Sequence, residues 1–359
     1  MSIFLLFFLV AGAVQVPAIQ NYLVDKATVY AAEVTGYKIS IGGIHIDWYD
    51  VLVLEEAVLW DKQNEKMIYL GEAEVDYTIL SLLKGNLQLD NILLRDGEVN
   101  LIRHVEDDDI NITAFIWKIQ ELTEPKVKRV GPPIPIVIPR FTLDNMLFSY
   151  DDRRKPPMEE DFDYYHFKID SISGVVNNVY AVLDTIMLDA DQLSARLASS
   201  NLKLHELTTS FLLDKHQIRC SKLYARIGES EVRDYFRFEF KDINDLSDFN
   251  EKVTMQLQLK ASTIAVDDLK HFAPSLNGIN DTIFISCKMA GRVNRFSLDS
   301  LAVNFGKTGF LKGKMTFDGL PYVSETFMDI NLSEVEVTAT DLFNIRVFLR
   351  MILSINLVK

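Results

Sequence analysis

From Lys38 onward the chain is written in period two. Segments such as Lys38-Ile-Ser-Ile41, Asn86-Leu-Gln-Leu-Asp90 and Val253-Thr-Met-Gln-Leu-Gln-Leu259 alternate apolar with polar side chains. A strand turns successive side chains to opposite faces, so this pattern gives each segment one face for core or lipid and one for water. A helix needs apolar residues every three or four positions, and little of the chain supplies them. Turn-forming residues at Gly42-Gly43, Lys62-Gln63-Asn64, Lys84-Gly85-Asn86 and Asp96-Gly97 separate the runs. The pattern predicts a mostly β fold: an elongated, repetitive antiparallel sheet array with a few short helices.

The clearest run also names candidate site residues. If Val253, Met255, Leu257 and Leu259 share one face, Thr254, Gln256 and Gln258 share the other. The apolar four can line an open groove, or they can pack inside a closed sandwich. Weak self-similarity accompanies the alternation. Leu89-Asp90-Asn91-Ile92 recurs as Leu143-Asp144-Asn145-Met146, with looser echoes at Leu183-Asp184-Thr185-Ile186 and Leu298-Asp299-Ser300-Leu301. Each has a strand end, a polar corner suited to an Asx-type turn, and a restarted alternation.

The beginning of the chain breaks this pattern. Ile3, Phe4, Leu5, Leu6, Phe7, Phe8, Leu9 and Val10 open a run to Val14 with no charged or polar side chain. Apolar character resumes past Gln15 through Val16-Pro17-Ala18-Ile19, close to the lower limit for a membrane span. Residues 1–19 are expected to be a membrane anchor helix, with a signal peptide cleaved after Ala13 as the alternative. Next, Ile19, Leu23, Ala27, Tyr30 and Val34 recur at helical spacing, Pro17 suits a first turn, and Gly36 supplies a stop. An amphipathic helix over 20–36 follows. Residues 37–124 form a first β segment that includes a short helix near Asp107 to Leu122. The proline-rich stretch 125–139 is an extended connection, and 140–359 continues the β-array.

Composition excludes several classes. A net charge of −14, with 37 basic residues scattered singly, argues against nucleic acid. Cys220 and Cys287 are too few for a disulfide framework and form no CxxC pair, so two isolated strand cysteines are expected. His45, His104, His166, His205, His216 and His271 lack partners at metal-ligand spacing and read as surface or strand-end residues. Glu106-Asp107-Asp108-Asp109 reads as a solvated acidic turn before a helix. No phosphate loop, nucleophile elbow or dinucleotide fingerprint occurs. No catalytic, cofactor-binding or metal residues are assigned, which points to a binding or conduit role rather than an enzyme.

Several phrases resemble the AsmA/TamB superfamily of bacterial envelope proteins, particularly TamB-like members of Bacteroidota. They are Val16-Pro-Ala-Ile-Gln-Asn-Tyr-Leu23, Thr35-Gly-Tyr-Lys-Ile-Ser-Ile-Gly42, Leu89-Asp-Asn-Ile-Leu-Leu-Arg-Asp-Gly-Glu-Val-Asn-Leu101, Asp268-Leu-Lys-His-Phe-Ala-Pro-Ser-Leu-Asn-Gly278, and Phe305-Gly306 through Gly319-Leu-Pro321. The resemblance implies a single inner-membrane anchor and a periplasmic β-groove with an apolar interior. It implies phospholipid acyl chains as the bound partner and an outer-membrane assembly protein as a further one. It favours the groove over the sandwich. Two features depart from the family: no basic residues precede the apolar run, and family members continue far beyond this length. With its apolar ending from Ile345 to Lys359, the chain therefore reads as the N-terminal part of such a protein, truncated at its C-terminal end. The alternative is a secreted structural or adhesive β-protein with a cleaved signal peptide.

Overall fold

The structure is a computed structural model that describes residues 17–47, 50–78, 89–123, 135–158, 162–272, 276, 281–320 and 325–338. Among the described residues it is mostly β, with 17 strands in one sheet. Two compact units are distinguished: Met1–Pro157 with Asp163–Val179 and Ala195–Ser199, and Met158–Phe162 with Tyr180–Ser194 and Ser200–Lys359.

The first unit opens with helix α1 (Pro17–Thr35). Its stop works as the sequence suggests: Gly36 has φ +73° and its N–H donates to Ala32 O at 2.8 Å, a left-handed C-terminal cap. Of the expected stripe, the side chains of Ile19, Leu23 and Ala27 lie outside the described ones, and Val34 is half-buried. Val24 and Thr35 are buried, whereas Tyr30 is exposed. Residues 1–16 carry the candidate anchor side chains Ile3 to Val10 and lie outside the described residues; only 17–19 of that segment are seen, as the first turn of α1. No described helix is long and apolar enough to cross a membrane.

Strands β1 (Ile39–Ser40) and β2 (Gly43–Asp47) both run antiparallel along β3 (Val51–Trp60), which pairs with β4 (Lys66–Tyr77). Strands β5 (Leu89–Arg95) and β6 (Glu98–Arg103) both run antiparallel to β4. Where the sequence reading expects turns, Gly42-Gly43 and Asp96-Gly97 are breaks between strands that keep their direction along one partner. At Gly97 a Cβ would meet the flexible end of the Met146 side chain, which packs over the glycine. The Lys62-Gln63-Asn64 turn does reverse the chain, between β3 and β4, with Asn64 at φ +62°. The Lys84-Gly85-Asn86 turn lies outside the described residues.

The array is not purely antiparallel. Both β5 and β6 pair in parallel with β7 (Ile136–Asp152), from Asn91↔Arg140 to Arg103↔Asp152. Parallel neighbours need a long crossover, usually a helix. Helix α2 (Asn111–Thr123) lies in that crossover, where a short helix is expected. Its inner face sets Ile112 and Phe115 against Tyr37, Leu59 and Met67, and the Phe115 ring meets Tyr37 edge-on at 5.2 Å. Pro139 lies in β7 just ahead of Arg140, where the pairing with Asn91 begins.

Strands β8 (His166–Val182) and β9 (Thr185–Leu197) have residues in both units. The second unit then runs as an antiparallel meander: β10 (Leu202–Asp214), β11 (Gln217–Ile227), β12 (Ser230–Glu239), β13 (Thr254–Ala265), β14 (Thr282–Arg292), β15 (Arg295–Phe305), β16 (Gly309–Asp318) and β17 (Phe327–Glu336). Among the described residues it is interrupted by a 3-10 helix (Ile243–Asp248) that runs into α3 (Phe249–Lys252), and by α4 (Val266–Leu269). Its core gathers Met255, Val266, Leu276, Leu301, Val303, Phe305 and Phe317 among others.

Bulges recur along the strands. Ser300 in β15 has φ +52°, and the buried face switches there from Phe296 and Leu298 to Leu301, Val303 and Phe305. Lys222 in β11 (φ +54°) makes the same switch, from Cys220 to Leu223 and Ala225. One inserted residue shifts the parity of everything after it, which keeps the apolar side chains on one face across the bulge. Hydroxyls on neighbouring strands accept the freed amides. Asn145 N–H donates to Ser173 Oγ at 2.9 Å, Gln192 N–H to Thr208 Oγ1 at 3.3 Å, and Ala261 N–H to Ser286 Oγ at 2.9 Å. The polar corners at Asn145 and Ser300 are thus bulges within strands rather than turns between them. Leu183-Asp184, by contrast, is the connection from β8 to β9.

Candidate functional site: an apolar row across eight strands

Cross-strand register in the second unit builds a continuous apolar row. Phe211 faces Cys220, which faces Phe236, then Leu257, Met289, Leu298, Met315 and Ile330, one residue from each strand of β10 to β17. No charged or polar side chain interrupts it. Two residues along each strand, a second row runs from Ile218 through Phe238, Met255, Gly291, Phe296 and Phe317. Its gap at Gly291 is a fit: with φ +133°, the glycine leaves room where a Cβ would strike Phe296. Phe296 and Phe317 stack with centroids 4.9 Å apart. Between the rows, on the opposite face, lie Arg219, Arg237, Gln256, Ala290, Ser297, Thr316 and Asp329. That face is largely polar: Gln258 Nε2 donates to Asp234 Oδ2 at 2.7 Å and Gln256 Nε2 to Glu239 Oε2 at 3.3 Å.

Burial changes along the face. Phe211, Phe236, Leu257 and Met289 are half-buried, with Cys220 and Met255 buried among them, whereas Phe296, Leu298, Met315 and Phe317 are all buried, at 4%, 5%, 2% and 0% exposed. The face is closed at β15 and β16, and β17 is exposed along most of its length.

Of the four candidate lining residues, the structure brings three together. Met255 lies in the core cluster, Leu259 packs against it, and Leu257 sits in the apolar row between Phe236 and Met289. Val253 stands just outside the strand ladder, with an extended backbone. It precedes β13 and ends α3, its N–H donating to Phe249 O at 3.2 Å, and it is fully buried. A helical turn spends that N–H on a local carbonyl rather than on a strand ladder. Cys220 and Cys287 are free, buried strand residues, and burial pushes the Cys287 thiol up to about 11.

The sequence reading also missed a polar cluster in the first unit. His104, just after β6, is buried rather than at the surface, with Nε2 2.9 Å from Asp61 Oδ2. Asp61 Oδ1 accepts the Gln63 and Glu65 amides, which closes the β3–β4 turn. Asn111, the first residue of α2, donates to Asp61 and to Asn100 O and accepts Ile102 N–H. Burial by itself would raise the Asp61 carboxyl. Its hydrogen bonds with His104, the Glu65 amide and Asn111 reverse that and hold it below the usual carboxylate range. The cluster ties a hairpin turn to a strand end and a helix start, which is a structural clamp. Its members are 43 and 50 residues apart in sequence, and no local pattern links them.

No protein-family model matches the chain, and no curated protein sequence is significantly similar to it.

Proposed function

We propose that this is a membrane-anchored β-groove protein of the AsmA/TamB type. Residues 3–19 hold it to the bacterial inner membrane, and the bulk of the chain is in the periplasm. It binds phospholipid acyl chains on the apolar face of the second unit, as a conduit rather than an enzyme. The work is phospholipid transport between membranes or outer-membrane protein assembly, with an outer-membrane assembly protein as partner.

The observation that carries this reading is the uninterrupted apolar row from Phe211 to Ile330. A lipid tail gains about 0.8 kcal/mol for each methylene it removes from water. A row without charges lets that gain accumulate along several strands, with the headgroup left in solvent and little headgroup selectivity. The half-buried residues Phe236, Leu257 and Met289 on adjacent strands, with Phe211 beyond the buried Cys220, are where tails would lie. The test is organic extraction of the purified full-length protein followed by mass spectrometry. Bound phospholipid at a stoichiometry of one or more supports the reading, and protein free of lipid after gentle extraction from membranes refutes it. A second reading draws on the closure at β15 and β16: the whole face is a packed core, and the chain is a secreted structural or adhesive β-protein. That reading expects no lipid.

A further inference from the structure

Helices α1 and α2 pack together in the first unit, and each also turns large apolar side chains to solvent. On α1, Tyr22, Val29 and Tyr30 are 60%, 55% and 68% exposed; on α2, Ile116 and Trp117 are 46% and 58% exposed. Single exposed apolar residues are ordinary. Five on two packed helices, with two tyrosines and a tryptophan among them, are not explained by the core. The inner face of α2 already supplies that core through Ile112 and Phe115.

We infer that the exposed faces of α1 and α2 form an interfacial membrane contact. The occupant is the headgroup–acyl boundary of a lipid bilayer. Two features single it out. The uncharged run from Ile3 to Val14 ends three residues before Pro17, where α1 begins, so the anchor delivers the chain to this pair of helices. The residue types also match: Trp and Tyr carry an apolar ring and a polar tip, which suits the boundary between headgroups and tails. The charges around them do not select an anionic surface. Lys26 and Lys118 stand among Asp25, Glu33 and Glu121, in a chain of net charge −14. Contact therefore rests on apolar burial rather than on headgroup charge, and a zwitterionic bilayer suffices for it. This inference depends on the anchorage proposed above and adds a second point of contact, about 100 residues further along the chain at Trp117.

The test places Trp117 as the sole tryptophan in the full-length chain through Trp48→Phe and Trp60→Phe. The protein is reconstituted with phosphatidylcholine vesicles whose acyl chains carry bromine near the headgroup. Trp117 emission should shift to the blue and fall at least twofold relative to unbrominated vesicles. Protein that sediments with vesicles while Trp117 stays unquenched overturns the inference and leaves the anchor standing. Protein that does not associate overturns both. A blue shift that grows with protein concentration in lipid-free detergent assigns the surface to a second copy of the chain and also overturns it.

Discussion

Replacing Leu257 with aspartate separates an accommodating face from a packed core. Leu257 sits mid-row on β13, facing Phe236 on one side and Met289 on the other, and is half-buried. Loss of the leucine side chain from a half-buried site removes about 1–2 kcal/mol of apolar burial. The fate of the new carboxylate decides the rest. If the face admits solvent or lipid, water hydrates the charge, and the total loss stays near about 2 kcal/mol. If the face is sealed there as it is at Leu301, which is 0% exposed, an unpaired buried charge adds several kcal/mol more and the unit unfolds. Gln256→Asp is the control. Gln256 lies on the opposite face with Arg237 as its cross-strand partner, and its amide donates to Glu239. A carboxylate there loses the bond to Glu239 and stands beside that like charge, but it shares Arg237, which already pairs with Glu239, so a loss of no more than about 1 kcal/mol is expected. Guanidinium titration followed by far-ultraviolet circular dichroism measures stability, and lipid extraction of the same preparations measures retention. The expected result is a folded Leu257→Asp protein with lipid content reduced at least fivefold, beside a Gln256→Asp protein within that margin in stability and unchanged in lipid. Outright unfolding of Leu257→Asp, or equal lipid loss in the two variants, would refute the open-face reasoning.

Two further outcomes test the devices that hold the fold. Ala261 has φ +47°, a conformation that costs a residue with a Cβ about 1 kcal/mol. Ala261→Gly should therefore be neutral or slightly stabilising, whereas Ser286→Ala, which removes the acceptor of the Ala261 amide, should cost about 1 kcal/mol in the same titration. The reverse ranking would remove the hydroxyl-capped bulge as a stabilising unit. For the polar clamp, Asp61→Asn should destabilise by about 2 kcal/mol at neutral pH, because it weakens a buried, charge-assisted network. The Asp61 pKa is lower folded than unfolded, so its contribution is complete above the unfolded value and is lost as pH falls through the folded one. The gap between wild type and Asp61→Asn should hold from pH 5 upward and shrink below about pH 4. A gap that persists unchanged to pH 2 would show that the carboxylate charge contributes nothing.

Much of this molecule follows from local pattern. Period-two alternation is a property of neighbouring residues and is sufficient for mostly β structure, because only a strand puts residues i and i+2 on one face. The helices at Pro17–Thr35 and Asn111–Thr123, and the glycine that ends the first, are equally local. Tertiary structure decided what depends on partners distant in sequence. Asp96-Gly97 carries turn residues, yet the chain runs straight on, because β4 on one side and β7 on the other already pair with both flanking strands. Asn145 and Ser300 look like corners and are bulges, since an adjacent strand supplies the hydroxyl or the register that absorbs the extra residue. Period two carries back to Val253, which is extended and fully buried, but its amide bonds Phe249 O in a helical turn rather than a strand ladder, which alternation does not show. Alternation shows which residues of one strand share a face. The row from Phe211 to Ile330 exists only because eight strands stop in one register, and register is set between strands rather than within them.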